Sequence, residues 1–479
     1  MYDHMRQYRC TIIRGKSKKE MDDLLPVYAM VINEICPCSV DEFDQLFNNA
    51  FQRFLPESER TKKTLDNHRT EISGKLFGMY YRASDGMVYE SQRTLKFLED
   101  NDQPAFFKDL CYKMQFPNGM DSVHTLQARI AENINFRPSA YILKLLRLAE
   151  MVGQPISVKD IGYYILNSLD VLQGKASPNE VLDVIVSDHS VGLQREVLAY
   201  DENGKPKASS YTMQHIREQL NYLELANLVR ITDDKCLILN SNENETIDLF
   251  IKDFDKLPDF NVYSYDFSTV ETRREFQYDW DFYFAKLSVH ASAFATSCHA
   301  LSFSEKKQAQ ESDRYKKAGF NLIELGDEGE SLVYEYEKAR VASYNARLVN
   351  KVLSLGKVKG IGYDIQSVIA EPGDMDEFVK YIEVKSTKRY TYPDLNDHVW
   401  MDTLTMTRNE WVAAQQHGQF YYIARVYFTS QGVVMFMISN VAEKLSDGRM
   451  RATPMTYRLD FSNSSVDGYV KLRDEKMGA

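Results

Sequence analysis

The alternation of polar and apolar residues between positions 360 and 390 predicts two adjacent β-strands. Residues 381–385, YIEVK, alternate at the period of a strand, so Glu383 and Lys385 share one face and their apolar neighbours share the other. An earlier apolar run begins at Asp364, and Pro372-Gly373 between the runs favours a turn. A hairpin of these two runs places Asp364 beside Glu383.

Helical spacing flanks the two strands. From residue 327 to residue 355 the chain is rich in helix-forming residues, has no proline, and carries apolar residues at near-helical intervals. Thr407 and Glu410 have the spacing of a capping box and Gly418 suits a helix end, which predicts a helix over residues 408–417. Two strand-like runs, FYYIARVYF and VVMFMI, follow. The pattern therefore predicts helices packed with a sheet.

The paired carboxylates of the hairpin favour a metal site. Asp364 and Glu383, converging from neighbouring strands, supply the hard oxygen ligands that Mg²⁺ prefers. Lys385 beside such an ion can orient or deprotonate a water, or neutralise charge as a phosphodiester is attacked. The same spacing also arises from a simple ion pair between Glu383 and Lys385 on a solvated sheet face.

These residues resemble the signature of a known nuclease superfamily. Asp364 followed by Glu383-Val384-Lys385 matches the PD-(D/E)XK pattern. The blocks GDEGESLVYEYEKARV, GYDIQS, YIEVKST and TRNEW resemble, in this order, the nuclease-like domain at the C-terminus of NO VEIN-type proteins, over roughly residues 311–440. The resemblance implies an α/β restriction-endonuclease-like fold for this part of the chain.

The resemblance also implies roles for individual residues. Asp364 and Glu383, together with the backbone carbonyl of Val384, would hold Mg²⁺, with Mn²⁺ as an alternative. Lys385 would position or activate the attacking water. Cleavage in this family leaves 5′-phosphate ends.

The helix ahead of the strands contributes an auxiliary acid in the family resembled. Glu330 matches that position and would orient the metal shell or hold a second ion. Glu337, seven residues further along the same face, matches a second family position, but a solvated helix face explains it nearly as well. Glu330 is therefore the predicted auxiliary acid.

The N-terminal region is predicted to be mainly helical and to end in a hairpin. Residues 40–55, VDEFDQLFNNAFQRFL, have helical spacing after Ser39, a good N-cap. Asp85-Gly86 between strand-like residues is a strong hairpin signal. Helices followed by a hairpin are typical of a winged helix, in which the helix before the wing enters the major groove. On that interpretation Arg69 and Lys75 contact DNA.

A similar pattern returns further along the chain. Residues 215–239, HIREQLNYLELANLVRITDDKCLIL, predict a helix, a strand, a turn and a second strand. This is a second winged-helix candidate, whose groove helix carries Arg217 and Gln219. Winged helices also serve as scaffolds that bind protein or nothing, and that interpretation stays open for both modules.

The predicted fold class is therefore α+β and multidomain, with mainly helical winged-helix-like modules before the PD-(D/E)XK domain. The predicted division is residues 1–130 and 131–245 for the two recognition modules, 246–310 for a helical connector, and 311–479 for the nuclease domain. This is the layout of modular restriction endonucleases, in which recognition and cleavage occupy separate domains.

Net charge does not indicate a nucleic-acid binder. The chain of 479 residues has a formal net charge of −11 and a sequence pI near 5.5. Local basic clusters exist at residues 14–19, 60–63, 314–317 and 385–389. The last cluster follows the candidate site directly, so Lys388 and Arg389 are its predicted phosphate contacts.

Other functional classes find no support in the sequence. There is no Walker-type phosphate loop, so no nucleotide triphosphate is expected, and the six cysteines show no zinc-binding spacing. The first residues lack the apolar core of a signal peptide, and lysine and histidine interrupt the longest apolar stretch. A cytoplasmic protein without a membrane partner is expected.

Together these features predict a metal-dependent endonuclease of restriction or phage-defence type acting on double-stranded DNA. Because one such site cuts one strand, a homodimer is predicted for a duplex break. One alternative is a catalytically inactive DNA-binding protein or defence-complex regulator. Another is a structure-specific or RNA-directed nuclease, whose metal site would have the same residues.

Overall fold

The structure, a computed structural model, describes residues 15–197, 199–200, 206–207, 210–256, 258–296, 325–356, 361–369, 378–397, 400–429 and 431–452. The basic cluster at residues 314–317 and the predicted turn at Pro372-Gly373 lie outside the described residues. We refer to residues 15–296 as the N-terminal unit and to residues 325–452 as the C-terminal unit.

The N-terminal unit is mainly helical, with small antiparallel sheets. Its helices are α1 (Lys18–Ile35), α2 (Val40–Phe51), α3 (Lys62–Asp66), α4 (Gln92–Asp100), α5 (Gln103–Lys113), α6 (Val123–Ala131), α7 (Pro138–Met151), α8 (Val158–Asp160), α9 (Leu169–Leu172), α10 (Pro178–Ser190), α11 (Ser210–Leu225), α12 (Asn244–Lys252) and α13 (Val270–Ala285). Its strands are β1 (Cys38–Ser39), β2 (Tyr80–Arg82), β3 (Met87–Glu90), β4 (Ala199–Tyr200), β5 (Pro206–Lys207), β6 (Val229–Ile231) and β7 (Leu237–Leu239). Helices α3 and α8 continue as π-helical segments at Asn67–Leu76 and Ile161–Leu166.

Local sequence signals explain where these elements begin and turn. Ser39 caps α2 by accepting a hydrogen bond from the backbone N–H of Asp41, as predicted. The predicted hairpin at Asp85-Gly86 joins β2 to β3, and Gly86 has a φ of +83°, which favours glycine. The predicted second hairpin pairs β6 with β7. Both helix-then-hairpin patterns are therefore present.

One hydrophobic core runs through the whole N-terminal unit. The buried cluster extends from Met21 to Phe294 without a break at residue 130 or residue 245. Helix α13, which lies in the predicted helical connector, packs into this core: Trp280 is buried, and its ring lies against Gly119. The boundaries predicted within residues 1–310 stay predictions, and they mark no interruption in packing.

The C-terminal unit is a five-stranded sheet with one helix on one face and two on the other. Its elements are α14 (Leu325–Tyr344), β8 (Leu353–Ser354), β9 (Ile365–Ile369), β10 (Phe378–Lys388), α15 (Arg408–His417), β11 (Tyr421–Thr429), β12 (Gly432–Ser439) and α16 (Val441–Ser446). The strand order is β12-β11-β10-β9-β8, with β10 and β11 parallel and the other neighbours antiparallel. The predicted single helix over residues 327–355 ends at Tyr344, and a 3₁₀ segment and β8 follow.

Side chains of β10 alternate between the two faces of the sheet, so successive residues pack against different helices. Ile382 and Val384 join the apolar cluster that includes Val333 and Val341 of α14. Tyr381 packs on the other face, against the cluster of α15. Glu383 and Lys385 therefore face α15, as the alternation predicts.

The two units meet where β10 ends. The ammonium of Lys388 lies 3.0 Å from Asp102 Oδ2, and the guanidinium of Arg389 lies 2.7 Å from Asp23 Oδ1. The buried carboxylate of Asp22 accepts hydrogen bonds from the backbone N–H groups of Tyr390 and Thr391, at 2.9 and 2.7 Å. Because these contacts are buried and charge-assisted, they fix the strand that carries the candidate site against the N-terminal unit.

No described helix is sufficiently long and apolar to span a membrane.

Candidate active site

Asp364 immediately precedes β9 and lies beside β10. The backbone N–H of Asp364 donates to the carbonyl of Ile382 at 2.9 Å, and its carboxylate Oδ2 accepts from the backbone N–H of Val384 at 2.8 Å. Val384 directly follows Glu383, so the carboxylate of Asp364 lies next to that of Glu383. The structure therefore brings together the two carboxylates that the hairpin pattern predicts as neighbours.

Lys385 completes the arrangement with a partner outside the predicted site residues. Its Nζ lies 2.8 Å from Glu383 Oε1 and 2.7 Å from Glu410 Oε2. Glu410 belongs to the predicted capping box of α15, which is present. We call Asp364, Glu383, Lys385 and Glu410 the acidic cluster. The capping signal located Glu410 on the helix, but its contact with Lys385 depends on how α15 packs.

Gly362 sets the approach of α15 to this cluster. Its φ is +80°, and a Cβ placed there would lie 2.4 Å from the backbone oxygen of Asn409 and 2.8 Å from the Cβ of Ala413. The hydroxyl of Tyr421 donates to the carbonyl of Gly362 at 3.0 Å. Only glycine fits this conformation and this close contact, so the distance between Asp364 and Glu410 depends on it.

The acidic cluster holds three carboxyl groups around one ammonium, and the pKa values of Asp364, Glu383 and Lys385 are shifted. Burial, together with the nearby charges of Asp364 and Glu410, raises the pKa of Glu383 to about 8 despite the ammonium of Lys385. Burial also raises the pKa of Asp364, although the N–H of Val384 opposes it. Burial lowers the pKa of Lys385, but its carboxylate neighbours outweigh burial and raise it. The cluster therefore favours an added positive charge or a retained proton.

The donor groups of the cluster suit a hard cation. Along a strand, the N–H and C=O groups of alternate residues point to the same side, and Ile382 O and Val384 N–H both face Asp364. The carbonyl of Val384 points to that side as well, past the end of β9. Among the described residues, no group of three or more His, Cys, Asp or Glu side chains is arranged to hold a metal ion. The predicted site would thus combine two carboxylates with a backbone carbonyl.

Glu330 lies at the edge of the sheet next to the cluster. A Cβ at Gly356 would lie 2.2 Å from Glu330 Oε2, so the carboxylate packs directly on this glycine. The neighbouring residue, Leu355, donates its backbone N–H to the carbonyl of Asp364 at 2.6 Å. Glu330 therefore faces the loop that carries Asp364, and its role as an auxiliary acid stays a prediction.

Glu337 belongs to a separate ion cluster on the opposite face of the sheet. Its buried carboxylate accepts hydrogen bonds from Lys380 and Ser367 at 2.8 and 2.7 Å, and Arg340 Nη2 lies 2.7 Å away. We call Glu337, Arg340, Ser367 and Lys380 the Glu337 cluster. Because Glu337 is buried, a solvated helix face does not explain it, and its contacts indicate a structural tie between α14 and the sheet.

Two of the predicted phosphate contacts lie elsewhere than expected. Lys388 and Arg389 are buried in the contact between the two units, where Asp102 and Asp23 bind them. In this arrangement their charges do not face a surface that a duplex reaches. The position of a basic run in the sequence did not reveal that carboxylates of the N-terminal unit neutralise it.

The N-terminal candidates divide by exposure. Arg69 is buried, and its guanidinium lies 3.0 Å from Asp44 Oδ2 and 2.9 Å from Asp66 Oδ1, so it holds the π-helical segment in place. Lys75 is partly exposed and pairs with Glu71 one turn away. On α11, Arg217 is exposed and Gln219 is half-buried. Arg217 and Lys75 are thus the candidates whose charges reach the surface.

Comparisons with known proteins place both units in families. The family model described as restriction endonuclease BpuJI, N terminal, matches residues 2–281, and the model described as protein NO VEIN, C-terminal, matches residues 329–438. The second match confirms the resemblance seen in the sequence blocks. No curated protein sequence matches the chain.

Nine solved chains match. One is described as a crystal structure of pyrene- and phenanthrene-modified DNA in complex with the BpuJ1 endonuclease binding domain. It is 48% identical, covers 60% of this chain and 100% of its own length, and has a TM-score of 0.56. Because the BpuJI model covers more than half of the 479 residues, this chain belongs to the BpuJI N-terminal restriction endonuclease family and carries a NO VEIN C-terminal domain.

Proposed function

We propose that the protein is a metal-dependent DNA endonuclease of restriction type, with a PD-(D/E)XK active site in its C-terminal unit. The observation that carries the proposal is the acidic cluster, in which Lys385 lies 2.8 Å from Glu383 and Asp364 packs against the same strand. It occurs in a chain whose N-terminal unit belongs to a restriction endonuclease family. Recognition and cleavage would then reside in separate units.

The residues of the acidic cluster divide the chemistry among them. Asp364, Glu383 and the carbonyl of Val384 would hold Mg²⁺ or Mn²⁺, and Glu330 would support that shell from the sheet edge. When bound, the ion polarises the attacked phosphate and offsets the charge that develops on it. Lys385 donates a hydrogen bond to the attacking water or to a phosphate oxygen, and the surrounding carboxylates keep its ammonium charged.

DNA is the proposed partner of the N-terminal unit. The solved BpuJ1 binding domain, 48% identical, is described in complex with DNA. Lys75 and Arg217 lie on the helical segments before the β2–β3 and β6–β7 hairpins, and their side chains reach the surface, which supports DNA contacts of the winged-helix type. With a net charge of −11, binding must rely on such local contacts, because the chain as a whole repels phosphate.

A homodimer is proposed for double-strand cleavage. One acidic cluster per chain cuts one strand, so a duplex break needs two copies or two successive binding events. Sedimentation of the full chain on duplex DNA is expected to show a species with two protein copies. Detection of monomers alone, under conditions that give double-strand breaks, would contradict this assembly.

The decisive experiment is cleavage of unmethylated and methylated plasmid DNA with Mg²⁺ and with EDTA. Wild type is compared with Lys385→Ala and with Lys338→Ala, a matched control at an exposed ion pair with Glu335 on α14. We expect metal-dependent cutting that Lys385→Ala loses and Lys338→Ala retains, with DNA affinity unchanged in both. Cutting by Lys385→Ala at the wild-type rate would refute the site.

The same assay separates the remaining functional classes. Absence of cutting by the wild type on every DNA, with specific binding retained, would identify an inactive binding protein. Cutting of RNA or branched DNA in preference to plasmid would identify a nuclease with a different substrate. Competition among duplex DNA, single strands and RNA supplies this measurement.

A further inference from the structure

Lys385 lies between two carboxylates that come from different elements. Glu383, on the same strand, is 2.8 Å from its Nζ, and Glu410, on α15, is 2.7 Å from it. The ammonium sits on a flexible four-carbon stem, so its position in the site depends on such partners. Both contacts are of ion-pair length, yet the two carboxylates differ in what else they do.

Contacts other than the one with Lys385 fix the side chain of Glu410. Its Oε2 also accepts a hydrogen bond from the backbone N–H of Thr407 at 3.0 Å, which closes the capping box of α15. The helix is fixed in turn by the close contact of Gly362 with Asn409 and by buried Ala413. The carboxylate therefore presents an oxygen at a set position without reordering.

Glu383 has competing partners. Under the proposed function it would also hold the metal ion together with Asp364, whose carboxylate accepts a hydrogen bond from the neighbouring N–H of Val384 at 2.8 Å. Engagement with a cation weakens the hold of Glu383 on Lys385, because one carboxylate then serves two positive groups. Glu410 faces Lys385 from the opposite element and remains its anion.

We propose that Glu410 is a positioning residue that holds the ammonium of Lys385 in the active site when Glu383 and Asp364 are engaged with the metal. This inference rests on the proposed function, which it deepens by adding a residue outside the Asp364, Glu383 and Lys385 signature. A purely structural role as a helix cap is the competing explanation.

Two substitutions separate positioning from capping. Glu410→Gln keeps a side-chain oxygen that can accept from Thr407 N–H, since glutamine also serves in capping boxes, but removes the anion next to Lys385. Thr407→Ala removes the hydroxyl that accepts from Glu410 N–H, and leaves the contact between Glu410 and Lys385. If Glu410 serves only as a cap, Thr407→Ala should reduce cleavage more than Glu410→Gln does. If Glu410 positions Lys385, Glu410→Gln should reduce cleavage more.

The first measurement is single-turnover cleavage by the full chain, beside DNA affinity without metal and thermal unfolding. Glu410→Gln is expected to slow cleavage by about 10- to 100-fold with unchanged affinity and melting temperature. Thr407→Ala is expected to cut within about twofold of wild type and to melt earlier. Wild-type cleavage by Glu410→Gln, or a larger loss in Thr407→Ala, would overturn the proposal.

A second measurement does not depend on cleavage. The full chain is treated with an amine-acylating reagent, and modification of Lys385 is followed by peptide mass spectrometry, with partly exposed Lys338 as the internal reference. Lys385 is expected to react at least about threefold faster in Glu410→Gln than in wild type, and unchanged in Thr407→Ala. Equal rates in wild type and Glu410→Gln would show that Glu410 does not hold it. If the wild type cuts no nucleic acid, the proposed function is wrong, but the acylation rate of Lys385 still shows whether Glu410 holds its ammonium.

Discussion

Two ion clusters lie on opposite faces of β10, and each pairs a glutamate with a lysine of that strand, yet their charges are balanced differently. In the Glu337 cluster one carboxylate faces the cations of Lys380 and Arg340 and a serine hydroxyl. In the acidic cluster, three carboxyl groups from the β9 end, β10 and α15 surround the single ammonium of Lys385. In the first cluster the cations outnumber the carboxylates, and in the second the carboxylates outnumber the cations.

The pKa values follow this difference. Burial raises the pKa of Glu337, but hydrogen bonds from Arg340, Lys380 and Ser367 outweigh it and leave the pKa lowered. Burial and neighbouring carboxylates raise the pKa of Glu383 to about 8. A buried group whose charge is satisfied stabilises the fold, whereas one whose charge is opposed is poised to bind a proton or a cation. Charge balance therefore distinguishes the structural cluster from the candidate active site.

The largest expected effect is on cleavage. Glu383→Gln should lower the rate of DNA cleavage roughly 10²- to 10⁴-fold, because it removes a predicted metal ligand while keeping the shape of the side chain. Glu337→Gln should leave the rate of the fraction that remains folded within a few-fold of wild type. Single-turnover cleavage, normalised to folded protein by circular dichroism, measures both. Equal losses in the two variants would remove the functional distinction between the clusters.

The next effect is on stability, where the variant of the Glu337 cluster should lose more than the variant of the acidic cluster. Glu337→Gln should lower the free energy of unfolding by about 3–5 kcal/mol, because it removes the buried anion that Lys380 and Arg340 face. Glu383→Gln should leave it unchanged or raise it by about 1 kcal/mol, since it relieves the repulsion among buried carboxylates. Urea unfolding of the metal-free chain measures these values. A stability loss in Glu383→Gln as large as that in Glu337→Gln would contradict this account of the acidic cluster.

The pH dependence of stability should have opposite signs in the two clusters. The folded-state pKa of Glu383 is raised from 4.5 to about 8, so its stabilisation is complete below pH 4.5 and is lost as the pH rises toward 8. The pKa of Glu337 is lowered from 4.5, so its contribution is present above that pH and is lost as the pH falls through the folded-state value. Urea unfolding of metal-free protein, from pH 8 down to a pH well below 4.5, provides the test.

Glutamine variants show which carboxylate causes each pH-dependent change in stability. Glu383→Gln should flatten the decline in stability between pH 4.5 and 8, and Glu337→Gln should flatten the loss on the acid side. An unchanged alkaline limb in Glu383→Gln would mean that another group titrates there.

Much of the C-terminal unit could be predicted because its signals are local. The alternation in residues 381–385 placed Glu383 and Lys385 on one face, and Thr407 with Glu410 marked the start of α15 at the residue where it begins. Hydrogen bonds and periods over a few residues decide such features. The function of the site residues stays a prediction, although the structure brings Asp364, Glu383 and Lys385 together.

The features that the sequence did not reveal all depend on contacts between distant residues. The contact of Glu410 with Lys385 requires α15 to pack on β10, and Lys388 is buried by Asp102, far away along the chain. Likewise, the continuous core from Met21 to Phe294 has no local signal. The sequence around a charged residue does not show whether an opposite charge from a distant part of the chain neutralises it.

The smallest expected effect extends the comparison to the N-terminal unit, where Arg69 is neutralised and Arg217 is exposed. Arg69 is buried between Asp44 and Asp66, so Arg69→Ala should lower the free energy of unfolding and leave the DNA affinity of the folded chain unchanged. Arg217→Ala should do the reverse, weakening duplex binding about fivefold, or about 1 kcal/mol, with a reduced dependence on salt. Affinity measured at several salt concentrations, beside urea unfolding, separates the two. Weaker binding by Arg69→Ala without loss of stability would show that a buried, paired arginine can still contact DNA, and that exposure is the wrong criterion for recognition in this unit.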